Sequence, residues 1–322
     1  MKCINLIFIH IIQQKEIIKE IRMKFENTQV MNFGNALRGM RNPKNSWDKS
    51  DSFFGLINPD DTEVDYIVTE AWLQKKHPDK DIYGYEYDDK ELNEEFDTID
   101  QWLLQNGVLQ QDNKDWATCA EVALVGPDDM RLAQQLIKAG PEHRKFMRQI
   151  FVSVDITAPL YWWKEFDTYK VGTVANSTST MHKLVSKPIT LDCFEVDDYV
   201  DSLDWTGVPI GECVNCYDSK KTINRLIDML EGLRLRYLET KDVRYWKELV
   251  RWLPEGWLQT RTVTMNYENL LAICSKSQRR NHKLNEWSGK HTPVEQSFIQ
   301  WARTLPYAQD FIFIDEQDKQ EL

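Results

Sequence analysis

Six cysteines in 322 residues, at positions 3, 119, 193, 213, 216 and 274, are too few and too scattered for the disulfide framework of a small secreted domain. Reduced thiols in a cytoplasmic protein are the expectation. The single CxxC, Cys213-Val-Asn-Cys216, has neither a second CxxC nor a neighbouring His pair, so it reads as two incidental thiols and no metal site is expected. Bilayer-length apolar runs are also missing: CINLIFIHII, near the start, is about the length of a signal-peptide core, and no small-residue cleavage site follows it. Positive charge is in deficit, with 40 Lys and Arg against 51 Asp and Glu and a net charge of -11. Such a balance opposes non-specific attraction to nucleic acid or an anionic membrane, so neither is an expected partner, and an anionic ligand must find a local basic pocket. Finally, the sequence holds no GxxxxGK[ST] loop, GxGxxG turn, HExxH or G-x-S-x-G elbow, which sets aside phosphate binding and hydrolysis through those devices.

With 42% apolar residues, the chain can bury a sizeable core. Residues 1–22 read as a non-structural leader or a mis-assigned start with initiation at Met23; an amphipathic anchor helix or an uncleaved leader are the alternatives. Residues 23–322 read as one domain, interrupted at about 51–116 by an acidic, aromatic insertion of short helices centred on DKDIYGYEYDDKELNEEFDTIDQW.

From Gly126 the local signals sharpen. GPDDMRLAQQLIKAGPEH has acidic capping residues, apolar positions at Met130, Ala133, Leu136 and Ile137, and a Gly-Pro stop, which predicts a helix. IFVSVDI (150–156) alternates as a half-buried strand does, and Pro159 is expected in the first turn of the aromatic helix LYWWKEFDTY. Residues 185–220 read as strands and loops. A helical pair follows, TINRLIDMLEGLRLRYLE and DVRYWKELVRWLP, ended by Pro254; further helices are expected over NYENLLAICSKSQRR and near EQSFIQWARTLPYA. Strands mixed with many helices imply an α/β or α+β fold rather than a bundle.

Several residues could carry chemistry. His143 follows a helix stop and enters a strand, an element boundary of the kind that holds ligands, although a surface or capping histidine fits the same pattern. Arg251, Arg261, Arg279 and Arg280 lie near helix ends or turns, where a guanidinium can clamp an anion bidentately; surface solvation is the alternative for each. Asp197-Asp198 reads as solvated surface. Thr173, Ser177, Thr178, Ser179 and Thr180 crowd the stretch after the aromatic helix, as a phosphate-facing loop or a polar surface turn.

The order of features from His143 onward resembles the central segment of the flavin-dependent thymidylate synthases. In that family a Gly-His step precedes a strand, an Ala-Pro turn, an aromatic helix and the signature R-H-R-x-x-S-x-N-E-x-S-x-R-Y. Here Ala158-Pro159 occupies the turn, and Thr168-Tyr169-Lys170 falls where R-H-R stands. RWLP at 251–254, TMN at 264–266 and the Arg279-Arg280 pair are similar, in the same order, to the family's R-x-x-L-P, T-V-N and L-R elements. Upstream, ALRGMRNP at 36–43 is similar to its first conserved segment. The resemblance covers roughly residues 126–310.

It implies a twisted sheet with long helices, active sites at the subunit interfaces of a homotetramer, and the reductive methylation of dUMP to dTMP. FAD reduced by NADPH would supply the hydride, and methylenetetrahydrofolate the carbon. Carried over by position, His143, Thr168, Tyr169, Lys170, Asn176 and Asn266 would hold the flavin, and Arg279 or Arg280 would polarise the pyrimidine. Glu165, Thr178, Ser179, Thr180 and Arg251 would meet the nucleotide. The signature's Arg and His are Thr168 and Tyr169; its later Glu, Ser and Arg become Asn176, Thr178 and Thr180 without a gap, while a one-residue gap pairs Asn176 and Ser179 with its Asn and Ser. Glu165 and Glu268 stand where the family has Gln and Arg, which adds negative charge near expected phosphates. A non-catalytic nucleotide-binding or interaction protein that keeps the fold is the alternative implied, and partner binding through the insertion is compatible with either.

Overall fold

The computed structural model describes residues 23–57, 120–169, 171–179, 183–196, 219–290 and 297–319. The expected leader, most of the acidic insertion, Cys213 and Cys216, Asp197-Asp198, Lys170 and Thr180 lie outside these residues.

The expected strand β4 (Phe151–Pro159) is the axis of the fold. Val152, Val154, Ile156 and Ala158 are buried on one face, while Ser153, Asp155 and Thr157 turn to the other. β4 pairs antiparallel with β1 (Lys24–Met31) and with β6 (Leu258–Asn266), and β5 (Val174–Ser177) adds to β6, giving the order β1-β4-β6-β5. This is a mixed helix-and-sheet fold whose sheet is antiparallel throughout. One face stays polar, as antiparallel sheets allow: Thr157 meets Thr260 at 2.7 Å, and Asn27 donates to Asp155 at 2.8 Å.

The other face is covered by helices. α1 is Phe33–Arg41, α2 is Pro127–Ala139 and α3 is Leu160–Phe166. α4 is Ser219–Thr240, α5 is Val243–Trp252 and α6 is Tyr267–Ile273; the short α7 (Asn285–Ser288), α8 (Phe298–Arg303) and α9 (Ala308–Phe311) follow. Trp162, Trp163, Phe166, Trp287 and Phe298 form the centre of the core, with Trp162 stacked on Trp287 at 4.5 Å. A smaller cluster, Leu184, Ile189, Phe194, Ile227, Leu230 and Leu249, lies under the α4–α5 pair.

Four local expectations need correction. Pro159 ends β4 rather than sitting in the first turn of α3, because the strand ladder to Leu258 continues through it. The cap of α2 comes from a distant residue: Asp51 accepts from the Asp128 and Asp129 N–H groups at 2.8 and 3.0 Å, with Gly126 at the N-cap. Asp129 is instead buried against Arg41 and takes the Ser50 hydroxyl at 2.6 Å. The helix expected over 266–280 stops at Ile273, since the following serines favour local turns: Gln278 N–H returns to Ser275 O at 3.1 Å and Arg279 N–H to Ile273 O at 3.1 Å. Last, the Ser/Thr run is not a loop after a helix; Val174–Ser177 form the exposed edge strand β5, with Asn176 opposite Thr262 and Thr178 N–H bonded to Thr260 O at 2.9 Å.

Candidate functional site

After α3 the chain turns sharply. Thr168 donates to Glu165 O at 2.7 Å and Thr173 to Tyr169 O at 2.8 Å, which commits both hydroxyls to the turn. Gly172, at φ 81°, lies so near the start of α6 that a Cβ there would meet Asn266 Nδ2 at 2.9 Å and Asn269 Oδ1 at 3.0 Å. Asn266 and Asn269 form a reciprocal cap: the Asn266 side chain accepts from Asn269 N–H at 2.9 Å, and the Asn269 side chain accepts from Asn266 N–H at 3.2 Å. Asn269 also donates to Val171 O at 2.7 Å, so the cap and the turn are stitched together.

The turn after α6 sends two neighbouring arginines in opposite directions. Arg279 points at α3, where its Nη1 lies 3.0 Å from Glu165 Oε2 and its guanidinium lies 5.4 Å from the Tyr169 ring and 5.0 Å from that of Trp287. Its Nε is buried with no hydrogen-bond partner among the described residues. His282 Nε2 approaches the same Glu165 oxygen at 3.5 Å, while His282 Nδ1 accepts from Leu284 N–H at 3.2 Å, which assigns the neutral tautomer with its proton on Nε2. Burial holds this imidazole below its usual pKa against the pull of Glu165, and Arg279 and Lys283 lower it further. Arg280 points away: it donates to Asp315 at 2.9 and 2.7 Å and to Cys274 O at 2.8 Å, and its guanidinium faces Phe313 at 5.2 Å.

A second charge cluster adjoins the first along α6. Glu268 accepts from Arg144 at 3.2 Å and from Arg148. Burial alone would raise its pKa, but the two guanidinium partners hold it below the ordinary carboxylate value. The negative charges expected at Glu165 and Glu268 are therefore offset from within the chain, by Arg279 and by the Arg144–Arg148 pair.

Glu165, Thr168, Tyr169, Asn266 and Arg279 thus come together. Other expected positions do not join them. His143 is exposed on the turn after α2, with its N–H on Gly140 O at 3.0 Å. Asn176 and Thr178 are exposed along β5, and Ser179 O accepts Lys183 N–H at 2.9 Å where that strand ends. Arg251 is exposed on α5 and pairs with Glu248 at 2.8 Å; Arg261 pairs with Asp167 at 2.9 Å and stacks on Trp163 at 4.2 Å. Sequence reasoning missed His282, Trp287 and Gln278, whose Oε1 accepts from the Tyr169 hydroxyl at 3.4 Å. The run Gln278-Arg-Arg-Asn-His282 was a signal, hidden by reading its first three residues as the tail of a helix.

Fold and site together define an antiparallel α+β protein with an arginine held by a carboxylate beside an edge-to-face pair of aromatic rings, Tyr169 and Trp287, whose centroids lie 6.3 Å apart. No family model matches the chain, and no curated protein does. Among solved structures, the chain is similar to the flavin-dependent thymidylate synthase ThyX from Helicobacter pylori, complexed with FAD and dUMP. That match has 15% identity over 59% of this chain and 84% of the other, with a TM-score of 0.38. It is also similar to the UMP/dUMP methylase PolB from Streptomyces cacaoi bound with 5-Br dUMP, at 14% identity over 83% of this chain and 96% of the other, with a TM-score of 0.39.

Proposed function

We propose that the chain is an enzyme of the flavin-dependent thymidylate synthase kind, acting on a pyrimidine nucleotide. The observation that supports this reading is the convergence of three segments that carry the sequence resemblance: the turn at Glu165–Gly172, the cap residue Asn266 and the arginine Arg279. In this reading the substrate is dUMP, and the enzyme acts in the cytoplasm as a homotetramer.

The Arg279 Nε–H, buried and unbonded, fits a carbonyl or anionic oxygen of a uracil ring. In the free chain Glu165 pairs with the guanidinium at Nη1, so a ligand oxygen competes with it for that charge, while the Tyr169 and Trp287 rings beside the group strengthen the bond it makes to the base. For the flavin, the Tyr169 ring offers an aromatic face, whereas the Thr168 hydroxyl and the Asn266 carbonyl oxygen are spent on the chain itself and His143 and Asn176 do not join the site. When bound, FAD reduced by NADPH would supply a hydride, and methylenetetrahydrofolate the carbon. The test is an absorption spectrum of the purified protein, alone and with FAD, titrated with dUMP. Flavin bands that shift on adding dUMP, followed by dTMP formation, bear the reading out; a colourless protein that neither retains FAD nor binds dUMP sinks it.

A second reading, a nucleotide-binding or interaction protein without catalysis, is favoured by one specific observation. All three arginines at family-like positions already have carboxylate partners within the chain: Glu165 for Arg279, Asp315 for Arg280 and Glu248 for Arg251. Retention of dUMP without flavin would select it.

A further inference from the structure

Tyr169 also lines an open cavity of about 600 Å³, between the end of α2, the Arg144 turn and the turn that follows α6. Its size falls in the range of small-molecule sites. Ile137, Leu271 and Ile314 supply an apolar lining, and Tyr169 an aromatic wall.

The polar lining is biased toward an anion. Lys138 and Arg144 are its basic residues, and its one carboxylate among the described residues, Asp315, is held by Arg280 at 2.9 and 2.7 Å. Arg144 shares Glu268 with Arg148, so two guanidinium groups face one carboxylate and a positive charge is left over beside the cavity. Ser275 and Ser277 stand on the lining with their hydroxyls 3.3 Å apart, a bond that either can exchange for a ligand oxygen at little cost. Gln278 adds an amide at the junction with Tyr169.

We propose that this cavity binds a small molecule made of an aromatic ring and a phosphate, the ring against Tyr169 and Leu271, the phosphate among Arg144, Lys138 and the two serines. Cations and hydroxyls around an apolar lining suit such an amphiphile better than a free inorganic ion, which would leave the apolar wall wet. The proposal shares Tyr169 with the reading of the preceding section, but its phosphate site stands apart from that reading, which uses none of Lys138, Arg144, Ser275 or Ser277.

The experiment is isothermal titration of the full chain with phenyl phosphate and with dUMP, phenol and deoxyuridine serving as phosphate-free controls. Ser277→Asp places a negative charge on the exposed rim, and Ser186→Asp makes the same charge change on a turn outside the lining. The expected result is that a phosphorylated probe binds the wild type and Ser186→Asp alike, and binds Ser277→Asp about tenfold more weakly; Arg144→Gln moves affinity in the same direction. Equal affinity for the wild type and Ser277→Asp, no preference over the phosphate-free controls, or no binding of either phosphorylated probe overturns the proposal. Phenyl phosphate binding of the expected pattern without dUMP binding leaves the cavity assignment standing and removes the pyrimidine reading instead.

Discussion

Arg279 and Glu165 meet at 3.0 Å across the gap between the turn after α6 and the end of α3, with the arginine beside the edge-to-face pair of Tyr169 and Trp287 rings. The contact neutralises the guanidinium yet leaves its Nε–H without a partner. An anionic ligand therefore competes with Glu165 for the same group. Glu165→Gln removes the competitor, and affinity for dUMP is expected to rise, whereas Arg279→Gln is expected to lower it by about tenfold to a hundredfold, the scale of one charge-assisted hydrogen bond of roughly 1.5–3 kcal/mol. Titration calorimetry on the two variants checks the pair of opposite signs.

Gly172 is the point where turn and cap touch. Gly172→Ala puts a Cβ 2.9 Å from Asn266 Nδ2 at a φ of 81°, so both strain and collision act on the folded state. The expected cost is on the order of 1–2 kcal/mol, seen as a lowered midpoint in urea unfolding with an unchanged slope. Loss of dUMP affinity should accompany it, because the turn carries Tyr169.

Glu268 gives the fold a dependence on acid. Its pKa is lowered in the folded state from the ordinary glutamate value of 4.5, so its ion pairs contribute full stability above about that pH. That contribution is lost as pH falls through the lowered folded-state value. Glu268→Gln is expected to flatten this limb of the stability curve and to cost about 1 kcal/mol at neutral pH. Urea unfolding at pH 7 and pH 4 should show a smaller difference in the variant than in the wild type.

Cys274 is fully buried, and desolvation drives its thiol pKa far up despite the nearby Arg280 and Arg303. Alkylation of native protein, read by peptide mass spectrometry, is expected to spare Cys274 and to modify the half-exposed Cys193. Labelling of Cys274 before unfolding would contradict the packing around it.

Elements with strong local codes were legible in the sequence. α2 is bounded by Gly126-Pro127 and Gly140, β4 alternates cleanly, and α5 stops short of Pro254. β5 was not legible, because the four-residue edge strand Val-Ala-Asn-Ser is exposed throughout and has no buried side to impose a period of two. The stop of α6 at Ile273 was missed because no Gly or Pro marks it and the polar residues 275–280 read as a helix tail, whereas serine turn chemistry ends the helix. In the site, Tyr169 and Arg279 could be singled out one at a time. That Glu165 and Glu268 arrive with their own arginines could not, since those partners lie far along the chain and only the folded packing brings them into contact.

The ribbon formed by β2 (Phe53–Ile57) and β3 (Ala120–Leu124) sets Ile57 opposite Ala120 in antiparallel register. The chain thus leaves this ribbon and re-enters it at adjacent points, like a door whose two jambs are already fixed. Because closing a loop grows only logarithmically more costly with its length, whatever connects those jambs can lengthen or shorten with little strain on the sheet. A two-residue Asn-Gly turn is enough to join them, and the resulting short chain would report what the frame does alone.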